Sequence, residues 1–426
     1  MSKANTTKRI LSVFGTRPEV IKLAPVIQEL EDRRDAFETV NVSSSQHTSL
    51  LYPLIDLFGL CIDHDLRVMR PKQTLNGLCA RVLESLDPIL ERTRPNLILV
   101  QGDTTTAMAG ALAGFHRRIP VAHVEAGLRT GNALSPFPEE MNRRIVSRLA
   151  TYHFAPTRGN LDILLAEGVP PDRVFLTGNP VVDSLVTILE KFPQLPVVDE
   201  LVRETEGLRR IVLTTHRRES FGETMVENLR VVRRFVESHS DVAVIFPVHP
   251  NPAVTEAARL VLADHPRIRL IPPLRYEEFV VLLAYAWLIV SDSGGVQEEA
   301  PTLGKPLLIL RENTEVPEAV ECGVAKLVGG CPDRLASALE QVHSDGTWIE
   351  QVRKTDNPFG QGDSGTRIAD ALEVVLGACS AKRRLQTRPP VSEIRQAPGR
   401  TDGAPRIPAA QPRTWNPRLP AALGGD

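Results

Sequence analysis

Short apolar runs rich in Val, Ile and Leu alternate with helix-period stretches almost from one end of the chain to the other. An aliphatic run without polar alternation is a strand buried on both faces, and a helical stretch between two such runs is the crossover that parallel strands require. The pattern predicts an α/β chain built on mostly parallel sheets. Strands are expected at residues 10–14, 39–43, 97–101, 121–124, 153–155 and 174–176. Beyond a Pro-containing stretch at 192–198 a second series is expected at 211–214, 242–247, 269–271, 287–290, 306–310 and 326–328. Two series in 426 residues exceed one ordinary core and predict two doubly wound, Rossmann-like domains, 1–190 and 191–381.

The periodicity stops near residue 382. From there to 426 the chain carries nine Lys and Arg against three Asp and Glu, and residues 383–426 hold eight of the 34 prolines. Such a segment buries too little apolar surface to order itself, so a disordered tail is expected. With a net charge of −2 overall, the tail's excess leaves the preceding residues near −8, which excludes a general binder of nucleic acid. An anion bound by the body must be held by a few positioned groups.

No run of about 18 uncharged apolar residues is present to span a bilayer. The short apolar stretch that follows the basic N-terminus enters Gly15-Thr16-Arg17-Pro18-Glu19 without a small-residue cleavage site, so it reads as a first strand and a cytoplasmic protein is expected. Five cysteines, Cys61, Cys79, Cys322, Cys331 and Cys379, are widely spaced with no C-x-x-C pair, which predicts neither a disulfide framework nor a metal site.

In open parallel sheets, ligands sit beyond the carboxyl ends of strands, where helix N-termini point free amides. The first strand ends in Gly15-Thr16-Arg17-Pro18-Glu19, with Lys22 a turn into the next helix. Cations there oppose the helix dipole, so Arg17 and Lys22 point to an anion such as phosphate; the bland alternative is a surface pair of Arg17 with Glu19. The strand at 97–101 runs into Gly102-Asp103-Thr104-Thr105-Thr106, where Asp103 is either a helix cap or an acid of the cleft. The strand at 121–124 leads to Glu125, and Glu139 and Glu140 enter a helix in Ser135-Pro136-Phe137-Pro138-Glu139-Glu140-Met141-Asn142-Arg143. Three acids converging on one rim would raise one another's pKa, which suits abstraction and return of a proton.

The second series repeats the arrangement. Its first strand ends in Thr214-Thr215-His216-Arg217-Arg218-Glu219-Ser220, a histidine and two guanidinium forks able to meet an anion. A later strand ends in Ser291-Asp292-Ser293-Gly294-Gly295-Val296-Gln297-Glu298-Glu299, where the glycines let amides approach phosphate oxygens and Glu299 is placed to accept from ribose hydroxyls. The one G-x-G-x-x-G spacing, at residues 360–365, follows no expected strand, and no G-x-x-x-x-G-K-[ST] loop occurs, so tightly bound NAD and ATP-driven chemistry have no motif in the required context.

The stretches GTRPEVIKLAPVI, GDTTTAMAGALA, HVEAGLRTGN, SPFPEEMNRR, HFAPT, TGNPVVDSL, HRRESFG and SDSGGVQEEAPTLGKPLLILRENTE resemble, in order, those of the non-hydrolysing UDP-N-acetylglucosamine 2-epimerases, over residues 9–381. The resemblance implies two Rossmann-like domains of glycosyltransferase-B type facing a cleft, a UDP-sugar substrate held mainly by the second domain, and a homodimer with no cofactor and no metal. It implies that Asp103, Glu125 and Glu139 are catalytic acids and that His216 is a catalytic or phosphate-side histidine. Arg17, Lys22, Arg143, Ser293, Gly294, Gly295 and Glu299 then bind substrate. The implied reaction removes the C2 proton, expels UDP to leave 2-acetamidoglucal, and adds UDP back with the proton on the other face, as a step in cell-surface polysaccharide precursor synthesis.

The chain departs from the family pattern in two places. Thr314-Glu315-Val316-Pro317-Glu318 has Val where many members carry a phosphate arginine. Gln46, His47, Gln73 and His249 resemble part of a second, activating UDP-sugar site, but Ser49 and Lys72 replace a Gln and an Arg common there. Four further readings stand beside the epimerase reading: a glycosyltransferase, which has no use for three acids around C2; a hydrolysing epimerase, which releases UDP and free N-acetylmannosamine; an epimerase of a diacetamido UDP-sugar; and a nucleotide-sugar sensor without turnover.

Overall fold

A computed structural model describes residues 7–46, 48–217 and 220–378; the tail expected at 382–426 lies outside the described residues. Seven strands form one parallel sheet: β1 (Lys8–Phe14), β2 (Phe37–Ser43), β3 (His64–Asp65), β4 (Leu97–Gln101), β5 (Val121–Val124), β6 (Tyr152–Ala155) and β7 (Val174–Leu176). Six form a second: β8 (Arg209–Thr214), β9 (Val242–Pro247), β10 (Ile268–Ile271), β11 (Leu288–Ser291), β12 (Leu307–Ile309) and β13 (Ala325–Leu327). The twelve expected strands are all present, each within two residues of its predicted limits. Only β3 went unforeseen: two polar residues at a sheet edge carry no apolar run to reveal them.

The first sheet has the order β3-β2-β1-β4-β5-β6-β7 and the second β10-β9-β8-β11-β12-β13. Every pairing is parallel. Parallel pairing needs helical crossovers on both faces, which is why the inner strands read as unbroken aliphatic runs; all five residues of β4 are buried. The fold class is therefore α/β, two doubly wound Rossmann-like units of glycosyltransferase-B type.

The crossovers in the first half are α1 (Arg17–Asp32), α2 (Thr48–Phe58), α3 (Leu75–Thr93), α4 (Thr105–His116), α5 (Glu139–Leu149), α6 (Arg158–Ala166) and α7 (Pro180–Lys191). The second half contributes α8 (Pro196–Glu204), α9 (Glu223–Ser238), α10 (Pro252–Leu262), α11 (Tyr276–Ala284), α12 (Gly294–Leu303), α13 (Pro317–Glu321), α14 (Pro332–Ser344), α15 (Thr347–Lys354) and α16 (Ser364–Leu376). Among the described residues no helix is long and apolar enough to cross a membrane. Cys61, Cys79, Cys322 and Cys331 are free thiols, and Cys379 lies outside the described residues.

Two helices tie the halves together. α7 leaves the first sheet and packs on α11 and α12 of the second, while α16 returns from the second half to pack on α1 and α7. The return is fixed by charge. Arg33 at the end of α1 pairs with Glu29 at 2.7 Å and with Asp370 and Glu373 of α16 at 2.7 and 2.8 Å. The buried Asp183 carboxylate accepts from the first-turn amides of α16, Ser364 N at 3.2 Å and Gly365 N at 3.0 Å, satisfying donors that a helix leaves unpaired. A Cβ on Gly365 would stand 2.8 Å from the Pro25 carbonyl oxygen, so only glycine lets α16 approach α1 this closely.

Two histidines sit inside the first sheet. His123 on β5 and His153 on β6 are both buried, and burial pushes their pKa values down to about 3 and about 4. Their folded pKa values lie below the unfolded value of about 6.5, so the stability they contribute is full above pH 6.5 and is lost as acidification charges the unfolded chain alone. For His153 the span from 6.5 to about 4 amounts to about 3 kcal/mol. Urea denaturation of the wild type should weaken steadily between those pH values, and His153→Asn should lose that share of the slope. An unchanged slope in the variant would remove His153 as a source of acid lability.

Candidate active site

In each sheet the strand order reverses at one point, between β1 and β4 in the first and between β8 and β11 in the second. Crevices open there beyond the carboxyl ends. Gly15, Asp103 and Glu125 follow β1, β4 and β5, and His216 and Ser293 follow β8 and β11, so the two sheets contribute their switch points to one cleft.

The turn after β1 is organised by a residue expected at the surface. Glu19 is fully buried, and its carboxylate accepts from Gly15 N at 2.9 Å and from Thr16 N and Oγ1 at 2.8 Å. It also accepts from Thr104 Oγ1 at 2.8 Å, joining the turns after β1 and β4. Burial pushes Glu19 up to about 7 against the pull of these hydrogen bonds. The surface pair of Arg17 with Glu19 is therefore replaced by a different arrangement: Arg17 lies over the Tyr276 ring of the second half, 5.1 Å from its centre.

Lys22 stands between two carboxylates. Its Nζ bonds Glu125 Oε1 and lies 2.8 Å from Glu298 Oε2. Asn179, at the N-cap of α7, donates to Glu125 Oε1 at 3.3 Å and to Glu298 Oε1 at 3.0 Å, and Gln101 at the end of β4 donates to Glu125 Oε2. Burial alone would lower the lysine, but Glu125 and Glu298 outweigh it and hold the ammonium above the ordinary lysine range. Burial also raises both carboxyls; Lys22 and the contact with Glu298 turn Glu125 below its ordinary value, while Glu298 stays raised because it faces Glu125 as well. Mutual elevation of the acids, expected from their convergence, fails at Glu125 because a lysine from α1 neutralises it. Glu125 also holds a left-handed backbone, φ +64°, uncommon outside glycine and found where a turn must aim a side chain.

Asp103 is not the cap of α4. The neighbouring Thr104 takes that position, its Oγ1 accepting from Ala107 N at 2.9 Å. The Asp103 carboxylate is gripped instead by Arg143 of α5, with Nε at 3.0 Å and Nη2 at 2.5 Å from Oδ2, while Asn142 Nδ2 holds its carbonyl at 2.9 Å. Burial pushes Asp103 up to about 6; the charges of Glu125 and Glu139 act with it and the Arg143 guanidinium against it. Glu139 is half-buried at the first position of α5 and reaches Asp103 through its charge alone. Glu140 is fully buried and turns away, binding Arg144 at 2.6 Å and standing 3.5 Å from Arg143 Nη1.

Across the cleft, Asp292 is the hub. Wholly buried at the end of β11, it accepts from Thr215 Oγ1 at 2.7 Å, His216 N at 2.9 Å and Arg217 N at 3.0 Å, so it fixes the turn after β8. His216 Nδ1 lies 3.2 Å from Asp292, and its ring stacks on His249 with centres 5.6 Å apart. Ser293 occupies the N-cap of α12 with no side-chain cap, so the amides at Gly294 and Gly295 remain for a ligand anion. Gly294 faces Arg217: a Cβ there would stand 3.5 Å from the guanidinium. Glu299 accepts from Tyr276 Oη at 2.9 Å, and burial raises its carboxyl while that bond and the charges of Arg17 and Lys22 oppose the rise. Arg218 and Glu219 lie outside the described residues, as does His47. No group of three or more His, Cys, Asp or Glu side chains among the described residues is placed to hold a metal.

Residues 28–373 match the family model for UDP-N-acetylglucosamine 2-epimerase. The chain belongs to that family. A UDP-N-acetylglucosamine 2-epimerase of Yersinia pestis is 43% identical over 370 residues, 86% of this chain and 98% of its own. The crystal structure of UDP-GlcNAc 2-epimerase from Neisseria meningitidis bound to UDP-GlcNAc superposes with a TM-score of 0.79 at 39% identity, covering 85% of this chain and 99% of that one. The Methanocaldococcus jannaschii enzyme in complex with UDP-GlcNAc and UDP gives a TM-score of 0.72 at 33% identity, with coverage of 86% and 99%.

Within this epimerase-family chain, the structure brings Asp103, Glu125, Glu139, Lys22 and Arg143 together on the first half and His216, Ser293, Gly294, Gly295 and Glu299 on the second, with Arg17 reaching across. It does not link Gln46, Gln73 and His249 to one another by hydrogen bonds: Gln46 accepts from Thr106 Oγ1 at 3.1 Å, Gln73 bonds Arg81 and Arg70, and His249 stacks on His216. Val316, in place of the family arginine, is buried, and its neighbour Glu315 lies 3.4 Å from Arg311 and 4.0 Å from Arg143. Sequence reasoning passed over Glu298, Asn179, Asp292 and Gln101 as site residues, although the first three lie inside the motifs that carry the family resemblance.

Arg143 lowers Asp103 and Glu139 raises it. Arg143→Gln should therefore move the Asp103 titration upward from about 6 and Glu139→Gln should move it downward, read by carbon-13 NMR of the aspartate carboxyl. Shifts of the same sign in both variants would overturn this account of the site's electrostatics.

Proposed function

We propose that this chain interconverts UDP-N-acetylglucosamine and UDP-N-acetylmannosamine without hydrolysis. A carboxylate removes the C2 proton, the C2–H electron pair forms a C1–C2 double bond, and the C1–O bond to UDP breaks. The resulting 2-acetamidoglucal and UDP stay in the cleft until UDP adds back to C1 and a carboxylic acid returns a proton to the opposite face of C2. Metal and redox cofactor play no part in this scheme.

The single observation that carries the reading is the pairing of Asp103 and Glu125. Two acids at one rim differ in proton affinity, Asp103 raised to about 6 by burial and Glu125 lowered because Lys22 outweighs burial. A reaction that takes a proton on one face and gives one on the other is served by two acids of unequal proton affinity, and divergent environments supply that difference. Glu139 biases Asp103 by its charge. The departing diphosphate would meet Arg17, His216 and the amides of Gly294 and Gly295 at the start of α12, groups aimed at developing negative charge. Glu299 would hold the ribose, and Arg143 would keep Asp103 oriented. We take residues 1–190 and 191–381 as the two lobes that close on the substrate, and two copies of the chain as the working unit. The product would supply cell-surface polysaccharide synthesis.

Proton NMR of the protein with UDP-N-acetylglucosamine in deuterated water tests the reading. UDP-N-acetylmannosamine should appear with deuterium at C2 and little free UDP; free N-acetylmannosamine with stoichiometric UDP would make the chain a hydrolase, and no exchange at C2 would remove this substrate. Asp103→Asn and Glu125→Gln should each lower turnover by about 100-fold or more while leaving UDP affinity within a few fold, since both are read as proton-transfer groups. Near-normal rates in either variant would strike that residue from the catalytic set.

A further inference from the structure

The proposed reaction uses Glu125 but gives no role to Lys22, which pairs with it, or to Glu298, which pairs with Lys22 from the second half. We propose that Glu298 is a positioning residue of the second lobe, which joins Lys22 and Glu125 across the cleft and sets their geometry when the lobes come together; this rests on the epimerase reading for the role of Glu125.

Four elements meet at this point. Lys22 comes from α1, Glu125 from the turn after β5, Asn179 from the N-cap of α7 and Glu298 from the second turn of α12. Lys22 Nζ lies 2.8 Å from Glu298 Oε2, and Asn179 Nδ2 spans the two carboxylates at 3.3 and 3.0 Å. Glu298 and Glu299 are adjacent in sequence, but successive residues of a helix diverge by about 100°. Glu299 faces Tyr276, near Arg17, whereas Glu298 faces Lys22, Glu125 and Asn179. The two glutamates therefore serve different parts of the cleft.

The charges explain why a carboxyl is used here. Glu125 and Glu298 share one lysine and one asparagine amide, so one proton between the two carboxyls leaves a neutral ensemble with Lys22. Burial and the neighbouring Glu125 raise the Glu298 carboxyl, while Lys22 turns Glu125 below its ordinary value, so the surroundings favour the proton on Glu298. The titratable groups facing Glu298 are Lys22 and Glu125, with the Tyr276–Glu299 pair beyond them. A purely structural tie would hold the lobes together; a positioning residue would also govern the ionisation of Glu125.

The test uses the full chain and three proteins: wild type, Glu298→Ala and Glu298→Gln. Glu298→Ala strands Lys22 and Glu125, and kcat should fall about 100-fold with KM changed by about threefold or less. Gln can accept from Lys22 and donate to Glu125, as a protonated carboxyl does, so Glu298→Gln should recover about tenfold of that loss. It should also erase the alkaline inflection expected in the wild-type kcat profile near about pH 8, where Glu298 titrates. Carbon-13 NMR of the glutamate carboxyls, followed from about pH 6 to about pH 10, should show a signal titrating near about 8 in the wild type, above that of Glu19 at about 7, that is missing from Glu298→Gln. This readout needs no turnover, so it decides the proposal even if the wild type fails to make UDP-N-acetylmannosamine. Coincident pH profiles and an unchanged set of carboxyl titrations in Glu298→Gln would overturn it, as would a Glu298→Ala variant that affects KM or melting temperature alone.

Discussion

A lysine ammonium enclosed by protein must be paired or discharged, and Lys22 is paired twice, by Glu125 of its own lobe and Glu298 of the other. The requirement constrains everything around it. α1 must carry Lys22 toward β5, the chain after β5 must take a left-handed turn to bring Glu125 back, and α12 must approach closely enough to present Glu298. Asn179 closes the ring by donating to both carboxylates from the start of α7, the helix that packs on both halves. α16 then holds α1 in place through Arg33 and Asp183. The cleft is thus framed by a charge cluster to which both lobes contribute.

Residue type does not decide which acid is ionised; surroundings do. Asp103 and Glu125 emerge from neighbouring strands of one sheet, yet Asp103 meets a delocalised guanidinium and two acids while Glu125 meets an ammonium at contact. Burial acts on both in the same direction, so the difference comes from the partner. Glu19 shows the third case: buried without any cation, it is held by four hydrogen-bond donors and rises to about 7 while still organising the turns after β1 and β4. Asp292 is a fourth, lowered despite burial because His216, Thr215 and two amides converge on it.

The strands were legible because each inner strand of a parallel sheet is buried on both faces and writes its burial as an aliphatic run. β3 was not, since His64 and Asp65 pair along one edge only and bury little. The rim residues were legible for a topological reason: in a doubly wound sheet the residues just past a strand face the crevice, so Asp103, Glu125, His216 and Ser293 could be placed from local pattern. Contacts between distant segments were not legible. Nothing near Lys22 says that it will meet position 298, and nothing near Asp103 says that Arg143 will grip it 40 residues away. The choice between Asp103 and Thr104 as helix cap is a one-residue ambiguity that only backbone geometry resolves.

The cluster at Lys22 is better understood as a device for reactivity than as a source of stability. Bringing three ionisable groups out of water costs several kcal/mol each, and packed apolar side chains in their place would commonly hold the lobes as well or better. What apolar packing cannot supply is a carboxylate held ionised in a closed site, because that needs a fixed cation and a proton kept on a neighbour. Lys22 is the cation and Glu298 the neighbour. Because Glu298 belongs to the opposite lobe, the surroundings that set Glu125 come from both sides of the cleft, Lys22 from its own half and Glu298 from the other.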